Sequence, residues 1–175
     1  FPDAKIMVIR AVPNGDEYDK DIASAIRYAT DNGARVINLS FGKYTSTHAD
    51  MVNEAIAHAA KKDVLIVQAA GNDHLDIDSI TCFPTGKDTA GRPFPNIIKV
   101  GASDKSGNCC PFSNYGQHEV DVFAPGEDIT SVCPGGKYAA SQGTSVAAPI
   151  VTGIATMIRA YFPRLKAEQV KEILT

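Results

Sequence analysis

The residues whose types and spacing suggest chemistry lie in "SQGTSVAAPIVTGIATMI", residues 141–158. Ser145 follows Gly143 and Thr144, where a glycine-bearing turn gives way to a long apolar helix. A serine hydroxyl at a helix N-terminus lies in the positive end of the helix field, which favours an alkoxide or a developing oxyanion beside it. The same position suits a serine or threonine that only caps the helix. Asn72, in "AAGND", ends an apolar run. Its carboxamide is placed either to donate a hydrogen bond to a substrate oxygen or to serve a turn. A nucleophile at a helix start and a donor at a strand end are the two halves of an acyl-transfer site. Ala147 and Ala148 leave room for close approach, and Pro149 is tolerated if it falls in the first helical turn or just after it.

The elements that must position these groups alternate in type. Short β-branched runs take turns with amphipathic runs, the pattern of parallel strands joined by helices. "AKIMVIRAV", residues 4–12, reads as a first strand covered on both faces. Ile22, Ala25, Ile26 and Ala29 recur at helical spacing, with Asp19 and Asp21 at the start and Asn32-Gly33 as a C-cap. "RVINLSF" is a second strand, followed by a helix marked by Val52, Ala55, Ile56 and Ala59. "VLIVQAA" is a third strand that runs into Gly71-Asn72, and residues 73–96 form an acidic, then Pro/Gly-rich loop. "NIIKVGAS" and "VDVFAPG" are two more strands, and "ITSVCPGGKYAAS" is a hairpin turning at Gly135-Gly136. The last helical region presents Ala147, Ile150, Val151, Ile154, Ala155 and Ile158 on one apolar face. Pro163 interrupts it, and an amphipathic segment with Ala167, Val170, Ile173 and Leu174 closes the chain.

The 175 residues are enough for one domain with a real core. A net charge of −3 leaves no basic surplus for nucleic acid, and no apolar run reaches the length of a membrane span. Cys82, Cys109, Cys110 and Cys133 show no zinc-type spacing. Adjacent Cys109 and Cys110 are poorly placed to bond to each other, and both a disulfide or two and four free thiols stay open. Gly143-Thr144-Ser145-Val146-Ala147 lacks the second glycine of G-x-S-x-G, and no G-x-G-x-x-G or P-loop follows a strand. An α/β-hydrolase or nucleotide-binding sheet therefore fits poorly.

Four segments together, "INLSFG" (residues 37–42), "AAGND" (69–73), "FSNYG…VDVFAPG" (112–126) and "GTSVAAPIVTG" (143–153), resemble the subtilisin-like serine proteases, in the order that family uses. The resemblance implies an α/β, three-layer subtilisin-like fold with a mostly parallel sheet flanked by helices. It also implies that residues 1–175 are the C-terminal part of a peptidase catalytic domain with its N-terminal part missing. Ser145 matches the family's nucleophile, and Asn72 matches the side chain that completes the oxyanion hole with the Ser145 N–H. Ser40, Phe41 and Gly42 match the segment that pairs with substrate before the scissile bond. Ala69, Ala70 and Gly71 match a wall of the specificity pocket. The implied reaction is endopeptidase cleavage of a polypeptide substrate through a seryl acyl-enzyme. An extracellular, periplasmic or cell-envelope location is implied in the same way.

The sequence departs from the family pattern where the general base is concerned. Neither the Asp-Ser/Thr-Gly turn nor the His-Gly-Thr helix start of the triad occurs, and both normally precede the strand that opens this chain. His48 and His58 fall on an expected surface helix, His74 lies in the acidic loop and His118 in the loop before a strand. None stands where the base is expected, so the chain by itself is expected to be inactive, its Asp and His supplied by an absent N-terminal segment. The alternative is a catalytically dead homologue acting as a binding or structural module. Retention of both Ser145 and Asn72 favours the enzyme. Val146 and Ile150 replace the commoner methionine and histidine without disturbing an apolar helix face. Calcium is implied by the resemblance alone, since Asp73, Asp76 and Asp78 match no complete ligand set; no metal ligand is assigned. Apolar surface exposed by truncation is expected to drive self-association.

Overall fold

The computed structural model describes residues 2–12 and 15–175. Helix α1 spans Asp19–Asp31 and buries Ile22, Ala23, Ile26 and Ala29 at helical spacing. Asp19 and Asp21 lie in its first turn, and Asn32 caps it ahead of Gly33, whose φ of 87° no β-carbon would welcome. Strand β1 (Val36–Leu39), helix α2 (Ala49–Lys61), strand β2 (Leu65–Ala69), strand β3 (Ile97–Ser103) and strand β4 (Val122–Pro125) follow. The four strands form one parallel sheet in the order β1-β2-β3-β4. β5 (Ile129–Cys133) and β6 (Lys137–Ser141) make the expected antiparallel hairpin, turning through Gly135 and Gly136 at φ of 80° and 70°. Helix α3 (Thr144–Tyr161) and helix α4 (Ala167–Leu174) complete the described chain.

Period-two alternation in the strands sorts the core into two layers. Ile37, Leu39, Ile66 and Ile97 face α1 and α2, where they meet Ile22, Ile26, Val52 and Ile56. Leu65, Val67, Ala69, Ile98, Val100, Ala102 and Ala124 face α3 and α4, where they meet Ala147, Val151, Ala155 and Val170. Because both faces are covered, β2 and β3 are buried along their whole length. This is the helix–sheet–helix layering expected from the sequence. All four cysteines carry free thiols.

α3 crosses all four strands and is fastened at its far end by Arg159, which is 3% exposed. Its guanidinium donates to the carbonyls of Arg35 (2.9 Å) and Asp63 (2.7 Å) and to the Asp63 carboxylate (2.5 Å). The other Asp63 oxygen accepts the N–H of Ala167 at 2.7 Å, so one carboxylate locks α3 to the start of α4. Burial presses the Arg159 guanidinium below its ordinary pKa, and the Asp63 charge opposes that pressure.

The structure departs from the sequence expectation at four places. Residues 4–12 form no strand: no backbone pairing ties them to the sheet among the described residues, and Ile6 and Val8 are 86% and 88% exposed. Their apolar, β-branched character suits a central strand, but such a strand needs a neighbour along its edge to satisfy its N–H and C=O groups. On α3, Ile154 leaves the apolar face and is 45% exposed, while Thr144, Ala147 and Ala148 form the buried start. Ile173 on α4 likewise points outward, at 58% exposure, so helical spacing marked these positions but not which flank of the stripe the sheet covers. His48 lies at the N-cap of α2 rather than within it, with its backbone N–H bound to the Asp19 carboxylate at 3.0 Å.

Candidate active site

Every candidate residue lies at the C-terminal ends of the parallel strands, the usual edge for ligands in such sheets. Ser40, Phe41 and Gly42 follow β1 directly. Ala69 ends β2, and Ala70, Gly71 and Asn72 continue beyond it. β4 ends at Pro125-Gly126, and α3 begins at Thr144. Gly126 accepts the Gly143 N–H at 2.8 Å and donates to the Ser103 carbonyl at 2.9 Å. A β-carbon on Gly126 would sit 2.5 Å from that of Ala102, so the glycine allows the helix start to approach the sheet edge.

The first turn of α3 fixes Asn72. Asn72 Oδ1 accepts the Thr144 N–H at 2.8 Å and the Thr144 hydroxyl at 3.1 Å, and Thr144 Oγ1 accepts the Gly71 N–H at 3.1 Å. An amide N–H can only donate, so the atom facing Thr144 must be the carboxamide oxygen. Nδ2 is thereby turned the other way, and it donates to nothing among the described residues. The Ser145 N–H, in the first helical turn, also has no acceptor among them. Gly143, at φ 135°, leaves open the space between these groups: a β-carbon there would lie 3.1 Å from Ser145 Oγ and 3.5 Å from both polar atoms of Asn72. A hydroxyl and two unspent N–H donors around one gap can attack a carbonyl and hold the oxyanion that results.

Pro149 lies deeper than the first turn, six residues past Gly143, and its consequence is specific. A proline nitrogen carries no hydrogen, so the carbonyl four residues earlier, that of Ser145, loses its helical donor. The Ser40 hydroxyl takes that place, donating to the Ser145 carbonyl at 2.8 Å. Ser40 is oriented in turn by the Asn38 carboxamide (2.7 Å), whose oxygen receives the Thr152 hydroxyl (3.0 Å) from about two helical turns beyond Ser145 along α3. The end of β1 and the start of α3 are thus joined side chain to backbone, while Phe41 anchors the segment against the α1/α2 core.

Two walls face each other beyond this point. Cys82 bridges them: its thiol lies 3.7 Å from the Ala70 carbonyl, and a β-carbon on Gly42 would sit 3.3 Å from its sulfur. Burial pushes the Cys82 thiol pKa up, so it stays protonated. Tyr44 donates to the Asp73 carboxylate and accepts from Asn114 at 2.9 Å. Burial and the Asp73 hydrogen bond push the Tyr44 hydroxyl up to about 12, which keeps it a donor.

The histidines are engaged elsewhere. His58 pairs with Asp31 at 2.7 Å, the His74 ring packs on Tyr115 at 5.5 Å, and the His118 N–H binds the Asp78 carboxylate. No hydrogen bond joins a histidine to Ser145 among the described residues. The acidic loop is also spoken for. Asp73 holds Tyr44, and Asp76 caps the Asp78 N–H at 3.0 Å. Although burial works the other way, backbone donors from His118, Glu119 and Gln117 hold the Asp78 carboxyl below its ordinary value. Among the described residues no three His, Cys, Asp or Glu side chains gather as a metal site would require, and no helix is long and apolar enough to cross a membrane.

Sequence reasoning passed over Thr144, Tyr44 and Asn114. Thr144 stands beside the serine in the quoted motif and Asn114 sits inside "FSNYG", and that adjacency was the one signal the sequence offered for two side chains that prove fully buried.

The sequence matches the Subtilase family (Peptidase_S8) over residues 1–175. The chain belongs to the subtilase family. Among curated subtilase relatives, it is 41% identical over 160 residues to a thermophilic serine proteinase of Bacillus sp. (strain AK1), covering 90% of this chain and 36% of the relative. It is 35% identical to subtilisin DY of Bacillus licheniformis, covering 88% of this chain and 53% of the relative. Among solved structures it superposes on a lanthipeptide protease with TM-score 0.80 and 28% identity, covering 94% of this chain and 60% of that one. A cold-adapted subtilisin-like serine proteinase gives TM-score 0.78 at 29% identity, covering 92% and 55%. The subtilase chain thus spans between about a third and three fifths of the length of these relatives.

Proposed function

We propose that residues 1–175 are the nucleophile-bearing part of a secreted serine endopeptidase catalytic domain. The observation that carries this is the convergence of the Ser145 hydroxyl, the free Ser145 N–H and the outward-turned Asn72 amide around Gly143. In this reading Ser145 attacks a peptide carbonyl, and the two N–H donors receive the oxyanion. Ser40, Phe41 and Gly42 align the polypeptide substrate, and Ala69, Ala70 and Gly71 line the pocket for its side chain. The aspartate and histidine of the triad belong to sequence outside these residues, so the serine of this chain alone stays protonated and unreactive. Extracellular or cell-envelope location and any calcium requirement follow the family reading and rest on it alone.

Labelling with a serine-reactive fluorophosphonate tests this reading. The whole protein that carries this segment is expected to label rapidly at Ser145, and the isolated 175 residues at least about 10³-fold more slowly, a lower bound on the loss when a triad base is removed. Equal slow labelling of both would replace the enzyme by the dead-homologue reading, a binding or structural module. Equal fast labelling would show that a base lies within this chain.

We also propose that the isolated chain self-associates through Ile6, Val8, Ile154, Met157 and Phe162, apolar side chains that are between 43% and 88% exposed. Sedimentation velocity is expected to show mass above the 18.6 kDa monomer that grows with concentration. A strictly monomeric species at high concentration would remove that proposal.

A further inference from the structure

We propose that Asn114 is a positioning residue for the oxyanion donor, acting on Asn72 through the backbone on either side of it. The Asn114 side chain is fully buried and uses all of its hydrogen-bonding capacity. Oδ1 accepts the N–H groups of Asp73 (3.1 Å) and Leu75 (3.0 Å), and Nδ2 donates to the Ala70 carbonyl (2.8 Å) and the Tyr44 hydroxyl (2.9 Å). The Asn114 N–H adds a bond to the Gly71 carbonyl at 2.9 Å. Residues 70, 71, 73 and 75 are held in this way, while His74 is held by the Phe112 carbonyl and the Asn72 side chain is left to Thr144.

Gly71 shows how tightly the clamp is closed. Its φ is 105°, and a β-carbon there would lie 2.3 Å from Asn114 Nδ2, so the carboxamide enters the space that a side chain at 71 would occupy. Tyr44, two residues past Gly42, shares its hydroxyl between Asn114 and the Asp73 carboxylate. One buried amide therefore joins the substrate segment, the pocket wall and the loop that aims Asn72. Oxyanion donors act only when held within a fraction of an ångström of the developing charge, so this support acts on the transition state more than on substrate binding.

The fold does not depend on the Asn114 side chain alone. His74 N–H to Phe112 carbonyl (3.0 Å), Tyr115 N–H to Leu75 carbonyl (3.0 Å) and Ile77 N–H to Tyr115 carbonyl (2.8 Å) pair the same two segments through their backbones. Asn114→Ala should therefore fold and still lose the aim of Asn72.

The kinetic arm of the test rests on the endopeptidase reading and uses the whole protein that carries this segment. Asn114→Ala is expected to lower kcat by about tenfold or more while KM changes by less than about threefold. In an Asn72→Ala background the same substitution should cost less than about twofold, because the donor it positions is gone. Additive effects would overturn the proposal. If Asn114→Ala does not fold, Tyr44→Phe removes one of the four side-chain bonds and must show the same non-additivity with Asn72→Ala at smaller size. A second arm needs no activity and uses the 175-residue chain. Hydrogen exchange at the Asp73 and Leu75 amides should accelerate by about tenfold or more in Asn114→Ala, with β3 amides unchanged. Unchanged protection at both amides would overturn the clamp. Absence of peptide hydrolysis by the unaltered whole protein would instead count against the endopeptidase reading and leave the exchange result to decide the clamp.

Discussion

Ser145→Ala in the whole protein that carries this segment is expected to reduce peptide hydrolysis by about 10⁵–10⁶-fold in kcat, with KM close to unchanged. The size follows from what remains. Without the hydroxyl no acyl-enzyme forms, and hydrolysis falls to water attack assisted by the oxyanion donors, worth roughly 10³-fold over the uncatalysed reaction. The backbone should barely respond. Ser145 binds Ser40 through its carbonyl, not its hydroxyl, so alanine keeps that bond, and the residue makes no side-chain hydrogen bond among those described. Substrate affinity and thermal midpoint are therefore the internal controls. Initial rates on a peptide substrate, with unfolding followed in parallel, check the expectation. Retention of more than about a hundredth of the original kcat in a correctly folded protein would place the nucleophile elsewhere.

Asn72→Asp should cost about 10²–10³-fold in kcat, or about 3 kcal/mol of transition-state stabilisation, the usual effect of losing one oxyanion donor. The choice of aspartate separates the two jobs of this side chain. Thr144 donates to the carboxamide oxygen through both its N–H and its hydroxyl, and a carboxylate accepts both bonds as well. The start of α3 therefore stays pinned, and its N-terminus welcomes the negative charge. What changes is the outward atom, from an N–H donor to an oxygen that repels a developing oxyanion. Asn72→Ala, by contrast, strips both functions and should lower the thermal midpoint as well as kcat. A loss of stability in Asn72→Asp equal to that in Asn72→Ala, with kcat preserved, would mean that the residue is a structural cap and no more.

The layers of this fold were legible because each strand carries its own burial record. The largely apolar runs at 64–70 and 97–103, interrupted by Gln68, Lys99 and Ser103, announce strands covered on both faces, and Val52, Ala55, Ile56 and Ala59 recur at the spacing of a half-buried helix. Residues 4–12 carry the same kind of signal and yet form no strand, since strand propensity is realised only beside a neighbouring strand and composition does not say which strand that is. Ser145 and Asn72 could be proposed from motifs, because the roles proposed for them depend on local backbone form. Asn114, Tyr44 and Thr144 could not be assigned roles, since their meaning lies in contacts 44, 29 and 72 residues away along the chain.

Pro149 bears on when the site comes into being. A helix that could satisfy the Ser145 carbonyl within itself would set the nucleophile's position as soon as the helix wound up. Here that carbonyl waits for a hydroxyl 105 residues earlier in the chain, delivered only after β1 has joined the sheet and α3 has docked across it. In the endopeptidase reading proposed above, the attack geometry at Ser145 is therefore set by a tertiary contact between β1 and α3 and not by the helix alone.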